Sequence, residues 1–262
     1  MTVRAPTELL FTCAPGRPGA EHMQRDADQL AAMQPGDAPR LTLYSWSPPA
    51  VSLGFMQNAA SLLDLDACGR AGVEVVQRPT GGRAILHWEE ITYAIVAPSS
   101  DPRFGASLAE SHARIGDCLA AGLQTLGIEA ALSRPALDPG RRLLRAPCFA
   151  SPGRAELLVR GRKLLGSAQR RTRHAFLQHG SLLVGPAHLR LIEFLLDARD
   201  PAVRATMQAA LERDTVTVAD LLGTAPDFTA LAAALAKGFR TGLEMALVPQ
   251  DAVAAGIVSI AV

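Results

Sequence analysis

Lysine is nearly missing from this chain. Of 26 lysine and arginine residues, only Lys163 and Lys237 are lysines. Aromatic residues are also scarce, at 5% of 262 positions, which removes the stacking platform that a single-strand nucleic-acid binder uses. Neither charge sign is in excess. The formal net charge of +1 gives no electrostatic case for nucleic acid or an anionic membrane surface. No apolar run approaches the roughly 20 residues of a membrane span, and Pro6 and Glu8 interrupt any secretory leader behind Arg4. These absences lead to the expectation of a cytoplasmic protein.

Cysteine is sparse too. Cys13, Cys68, Cys118 and Cys148 form no C-x-x-C pair and fit no zinc spacing, so no metal site is expected. A chain this long needs no disulfide framework, and reduced thiols are the simpler reading. Cys118 falls on an apolar helical stripe and Cys68 near the end of a short helix, both consistent with core positions. Cys13 stays open.

What is present is core. Apolar residues make up 48% of the chain, enough for one large domain or two small ones. Strand-like runs at 8–12, 41–46, 51–53, 73–76, 84–87, 91–96, 128–132 and 176–184 are interleaved with helical periodicity at 20–33 and behind the Ser107/Glu110 capping box. The runs at 84–87 and 91–96 read as a pair around Glu89 and Glu90. After Val184 strand signals fade, and helical runs are expected at 187–198, 202–213, 218–222 and 228–247. The irregular order points to an α+β fold with a mixed or antiparallel β-sheet and flanking helices. Residues 1–185 are expected to form the mixed strand-and-helix part. Residues 186–262 read as a helical extension packed on the same domain.

Two stretches carry chemistry. Around Arg160-Gly161-Arg162 the pattern is a hairpin, with Lys163, then Gly166-Ser167-Ala168-Gln169, and a second strand holding His179 and Gly180. Small residues in a strand let a ligand or another backbone approach. Lys163 and Gly166 therefore read as cavity residues, with Cys148 entering from the preceding loop. The plainer alternative is a hairpin with a surface lysine and a buried thiol. The second stretch, Arg78-Pro79-Thr80-Gly81-Gly82-Arg83, joins two strands. It is neither a Walker loop nor a dinucleotide fingerprint. Backbone N–H groups at Gly81 and Gly82 could meet ligand oxygens, with charge from Arg78 or Arg83. An ordinary glycine turn is the alternative.

Taken together, these stretches resemble the lipoate–protein ligase A family in order and spacing. The matching segments are Trp46 to Asn58, Arg78 to His87, Gly161 to Arg171 and His179-Gly180-Ser181. Met23 and Asp26 fit the family's first helix. The resemblance spans about residues 8–185 and implies the catalytic fold shared with biotin–protein ligases, built around an acyl-binding tunnel. Within the family, ligases activate free lipoate with ATP and magnesium, whereas octanoyltransferases pass the acyl group through a cysteine thioester and need no cofactor. Cys148, upstream of Glu156 and Lys163, looks like the nucleophile of the second branch. Ligases tend to have a third glycine and an aspartate where this chain has Arg83 and Trp88, which counts against a nucleotide.

The resemblance implies an octanoyl donor, acyl carrier protein. It implies an acceptor lysine on a lipoyl-domain protein such as the glycine cleavage H protein or a 2-oxoacid dehydrogenase E2. Lys163 would stabilise the carbonyl oxygen, and Arg78, Thr80, Gly81, Gly82, Arg83, His87, Gly166, Ser167, Ala168, Gln169, His179 and Gly180 would line the octanoyl or lipoyl site. His87 and His179 could equally be structural. An amidotransferase between lipoyl-domain proteins and a non-catalytic acyl-binding protein are the other readings.

Overall fold

The structure, a computed structural model, describes residues 7–133 and 156–261. The first stretch contains β1 (Glu8–Arg17), α1 (Gly19–Ala32), β2 (Arg40–Trp46), β3 (Ala50–Leu53), α2 (Ala59–Leu62), α3 (Leu65–Arg70), β4 (Glu74–Gln77), β5 (Ile85–His87), β6 (Glu90–Pro98), α4 (Leu108–Gln124) and β7 (Ala131–Leu132). The second contains β8 (Leu157–Val159), β9 (Arg162–Arg171), β10 (Ala175–Leu183), α5 (Pro201–Asp214), α6 (Val218–Leu222), α7 (Phe228–Leu243), β11 (Ala246–Pro249) and α8 (Ala252–Ile260). Short 3-10 turns fill Pro186–Phe194 and Leu196–Arg199.

An eight-stranded sheet in the order β11-β1-β2-β6-β10-β9-β8-β7 forms the centre, and β4-β3-β5 forms a small second sheet. β1 runs parallel to both its neighbours, while the pairings from β2 to β7 are antiparallel. The sheet is therefore mixed, as the element order implied. β6 and β10 are buried at every position; β6 accordingly reads as a nearly continuous apolar run, while β10 buries Gln178, His179 and Ser181 at its centre.

One face of the large sheet packs on α4, α7 and α8. The Ser107/Glu110 capping box closes the start of α4 as expected. The backbones of α4 and α7 touch. A Cβ on Gly122 would lie 2.6 Å from the Ala234 carbonyl oxygen, and one on Gly238 would meet the Cys118 carbonyl. The other face receives α1, whose Met23 and Leu30 pack with Tyr44, Ala94, Val96 and Leu177.

Several expectations need correction. β5 and β6 do not pair: β5 lies beside β3 and β6 between β2 and β10. The Trp88-Glu89 turn, with Glu89 at φ 51°, carries the chain from one sheet to the other. β1 continues past Thr12 to Arg17. The helix expected through Leu247 stops at Leu243, where Glu244 adopts a left-handed conformation. Residues 246–249 then add a strand beside β1, so the segment after residue 185 is not purely helical. The helix expected over 187–198 is a pair of 3-10 turns. Among the described residues no helix is long and apolar enough to cross a membrane.

Candidate active site

Strand alternation divides the large sheet into two faces. Tyr44, Thr92, Ser181 and Gly166 stand in register across β2, β6, β10 and β9, and Thr42, Ala94, His179 and Ala168 form the next row. Opposite these rows stand Ser52, Ile85 and His87 of the small sheet, Arg78 and Gly82 of the connecting loop, and Met23 of α1. With Trp46, Glu156 and Lys163 they line a cleft.

A local irregularity aims Lys163 into that cleft. Leu157 faces Leu165 across the β8–β9 pair, but Leu158 faces Lys163, so Leu164 is an extra residue. Strict alternation would place Lys163 on the face of Leu165, which packs into the α4/α7 core. The bulge turns the ammonium the other way. From the C-terminal part, the Val216 N–H donates to the Lys163 carbonyl at 3.0 Å. The side chain is 4% exposed, and Nζ lies 2.5 Å from Glu156 Oε1. Glu156 is equally buried, and its Oε2 has no hydrogen-bond partner among the described residues.

Arg78 shapes the loop around it. Its guanidinium donates to the carbonyls of Ser52, Gly81 and Arg83 at 2.7–3.2 Å and to Ser52 Oγ at 3.1 Å. The Ser52 hydroxyl and His87 Nε2 share a hydrogen bond at 2.8 Å. His87 Nδ1 stands 3.6 Å from Glu90 Oε1. Burial holds the His87 pKa below the ordinary histidine value, against an opposing pull from Glu90. Trp46 stacks on His87 with ring centres 3.9 Å apart and donates from Nε1 to Thr92 at 2.9 Å.

A second chain of bonds ties three elements together. Thr80 Oγ1 meets His179 Nε2 at 2.6 Å, and His179 Nδ1 donates to Asp26 Oδ2 at 2.8 Å. Tyr44 donates to the same carboxylate oxygen at 3.1 Å. Loop, sheet and α1 thus share one buried network.

The expected site residues divide accordingly. Arg78, Gly82, His87, Lys163, Gly166, Ser167, Ala168, His179 and Gly180 line the cleft. Thr80 stands behind His179, and Gly81, Arg83 and Gln169 are not among the described lining residues. The side chains of Ser167 and Gln169 point to the opposite face, where Ser167 bonds to Tyr93 and Gln169 to Ser111 and Gln178. The period of two in a strand sets this, and a motif read as a block hides it. Gly180 also makes room on that face: a Cβ there would lie 2.6 Å from the Tyr93 ring and from the Gly166 carbonyl oxygen. Motif reading did not single out Tyr44, Ser52, Ile85, Thr92 or Ser181 as lining residues, and it gave Glu156 no role.

Cys148 lies outside the described residues. The three described thiols are buried away from the cleft. Burial, reinforced by Asp251, pushes Cys13 up to about 12. Burial, reinforced by Asp117, does the same for Cys118. Cys68 is also raised, mainly by burial. Thiols held in this form are poor nucleophiles.

Comparison with known proteins agrees with this geometry. The family model of the lipoyl protein ligase A/B catalytic domain matches residues 18–240. Octanoyltransferase LipM of Kyrpidia tusciae is 38% identical over 88% of this chain and 86% of its own length. That of Bacillus subtilis is 31% identical over 81% and 78%. Among solved structures, the bipartite lipoate protein ligase of Thermoplasma acidophilum aligns with a TM-score of 0.72 at 20% identity, covering 98% of this chain and 92% of its own. Lipoate–protein ligase A bound with ATP aligns at 0.72 and 19%, covering 97% and 93%. A matched domain that spans most of the chain, and a fold shared with these ligases, place this protein in the lipoyl protein ligase A/B catalytic-domain family.

Proposed function

We propose that this enzyme moves an octanoyl group from octanoyl-acyl carrier protein, through a thioester on Cys148, to a lysine of a lipoyl-domain protein in lipoate biosynthesis. The carrying observation is a cleft that holds a buried lysine in a chain whose described thiols are all sequestered, beside relatives that are octanoyltransferases. In the first step the Cys148 thiolate attacks the donor carbonyl, and the carrier thiolate leaves. In the second the neutral acceptor amine attacks the acyl-enzyme, an amide bond forms, and the Cys148 sulfur departs and takes up the proton that the amine nitrogen loses. Each tetrahedral intermediate places negative charge on the carbonyl oxygen. Lys163 brings positive charge to that oxygen, a role worth about 100- to 1,000-fold in rate per donor. A thioester is already activated, so this route uses no ATP. The apolar chain gains about 0.8 kcal/mol per buried methylene as it leaves water for the cleft.

Incubation with octanoyl-acyl carrier protein should give an octanoyl adduct that mass spectrometry locates on Cys148. The Cys148→Ala variant should lose both adduct and transfer. Normal transfer by that variant, or transfer only from free octanoate with ATP and magnesium, would overturn the reading.

A further inference from the structure

Glu156 is the buried charge in the cleft that the transfer route leaves without a task. Its Oε1 is held by Lys163, while Oε2 has no partner among the described residues. Both side chains line the cleft. We infer that Glu156 makes the site selective for a neutral acyl donor over the corresponding free acid.

A lone buried lysine would attract any carboxylate, and free fatty acid would then compete for the place of the reacting carbonyl. Here the charge of Lys163 is already balanced. A carboxylate brought to the same ammonium would add a second negative charge beside Glu156 in a site with little water, where like charges repel strongly. An uncharged thioester carbonyl meets no such repulsion. It can still accept an N–H bond from the ammonium, a three-donor group whose bond to Glu156 takes one donor. Charge develops on that oxygen only as the thiolate adds, so the lysine favours the intermediate over the bound acid. The ion pair therefore screens the ground state without removing the donor.

This inference rests on the octanoyl reading for the chain length of its probes, and binding tests it separately from transfer. By titration calorimetry at neutral pH, wild-type protein should bind octanamide at least about tenfold more tightly than octanoate. In Glu156→Gln, which keeps an oxygen for Lys163, octanoate should bind at least about tenfold more tightly than in wild type, with octanamide unchanged within about twofold. The wild-type comparison stands even where the variant folds poorly. Equal affinities for the two probes in wild type, unaltered octanoate binding in the variant, a parallel change in octanamide binding, or no octanamide binding would each overturn the inference. If the probes behave as stated but octanoyl-acyl carrier protein supports no transfer, only the functional reading fails.

Discussion

Replacing Lys163 with methionine separates the two things the ion pair does. The substitution keeps the apolar stem and removes the charge. Glu156, 5% exposed, is then left as an unpaired buried carboxylate. Breaking one side of such a pair typically costs about 3–5 kcal/mol. At roughly 2–4 °C per kcal/mol for a chain of this size, the melting temperature should fall by about 10 °C. Adding Glu156→Leu removes the stranded charge, and the double variant should regain most of the loss, because an apolar replacement of a buried pair is often neutral. Activity should not return with stability. Both variants should transfer octanoyl about 100- to 1,000-fold more slowly than wild type. The assays are thermal unfolding and single-turnover transfer to a lipoyl-domain acceptor. A single variant as stable as wild type would deny that the pair is buried and ionised. A double variant as fast as wild type would remove Lys163 from the mechanism.

Inserting an alanine between Leu157 and Leu158 should give Leu164 a partner, restore alternation in β9 and swing Lys163 toward the α4/α7 core, so transfer should fall by at least about 100-fold; retained activity would show that the bulge does not aim the lysine. Thr80→Val should leave His179 Nε2 without its partner and cost about 1–3 kcal/mol. Hydrogen exchange at Phe55 should speed up, because its N–H donates to the Thr80 carbonyl, and unchanged exchange would detach the loop from the network. Acid should weaken the fold. Burial lowers His22, His112 and His188 from 6.5 to about 4, so each ring takes up a proton on unfolding. Their stabilising share is intact above about 6.5 and is lost as pH falls toward 4. Urea midpoints should drop across that window, and a flat profile would contradict the burial of these rings.

The sequence carried the gathering of Arg78, His87, Lys163 and His179 because each lies in a short motif beside a glycine or a strand. It carried α4 because a capping box and a three-four apolar repeat agree. Details that depend on a one-residue phase were not legible. Nothing in Lys163-Leu164-Leu165 marks which leucine is extra, and hence which way the lysine points. Ser167 and Gln169 fall on the far face for the same reason. β11 escaped because α7 ends on Glu244 in a left-handed conformation, where glycine is the usual signal, and its apolar period runs on into Leu247. Asp26 was visible as part of a helix pattern, but its bond to His179, 153 residues away, has no local trace.

The register of Glu8–Phe11 with Ala246–Pro249 bears on how the chain is made. β1 must wait for a partner 238 residues downstream (Glu8 to Ala246) before both its flanks are covered. Until then it offers a bare row of amides and carbonyls to any neighbouring nascent chain. Efficient expression therefore hinges on Ala246–Pro249, and removing those four residues would leave β1 open on one side for good.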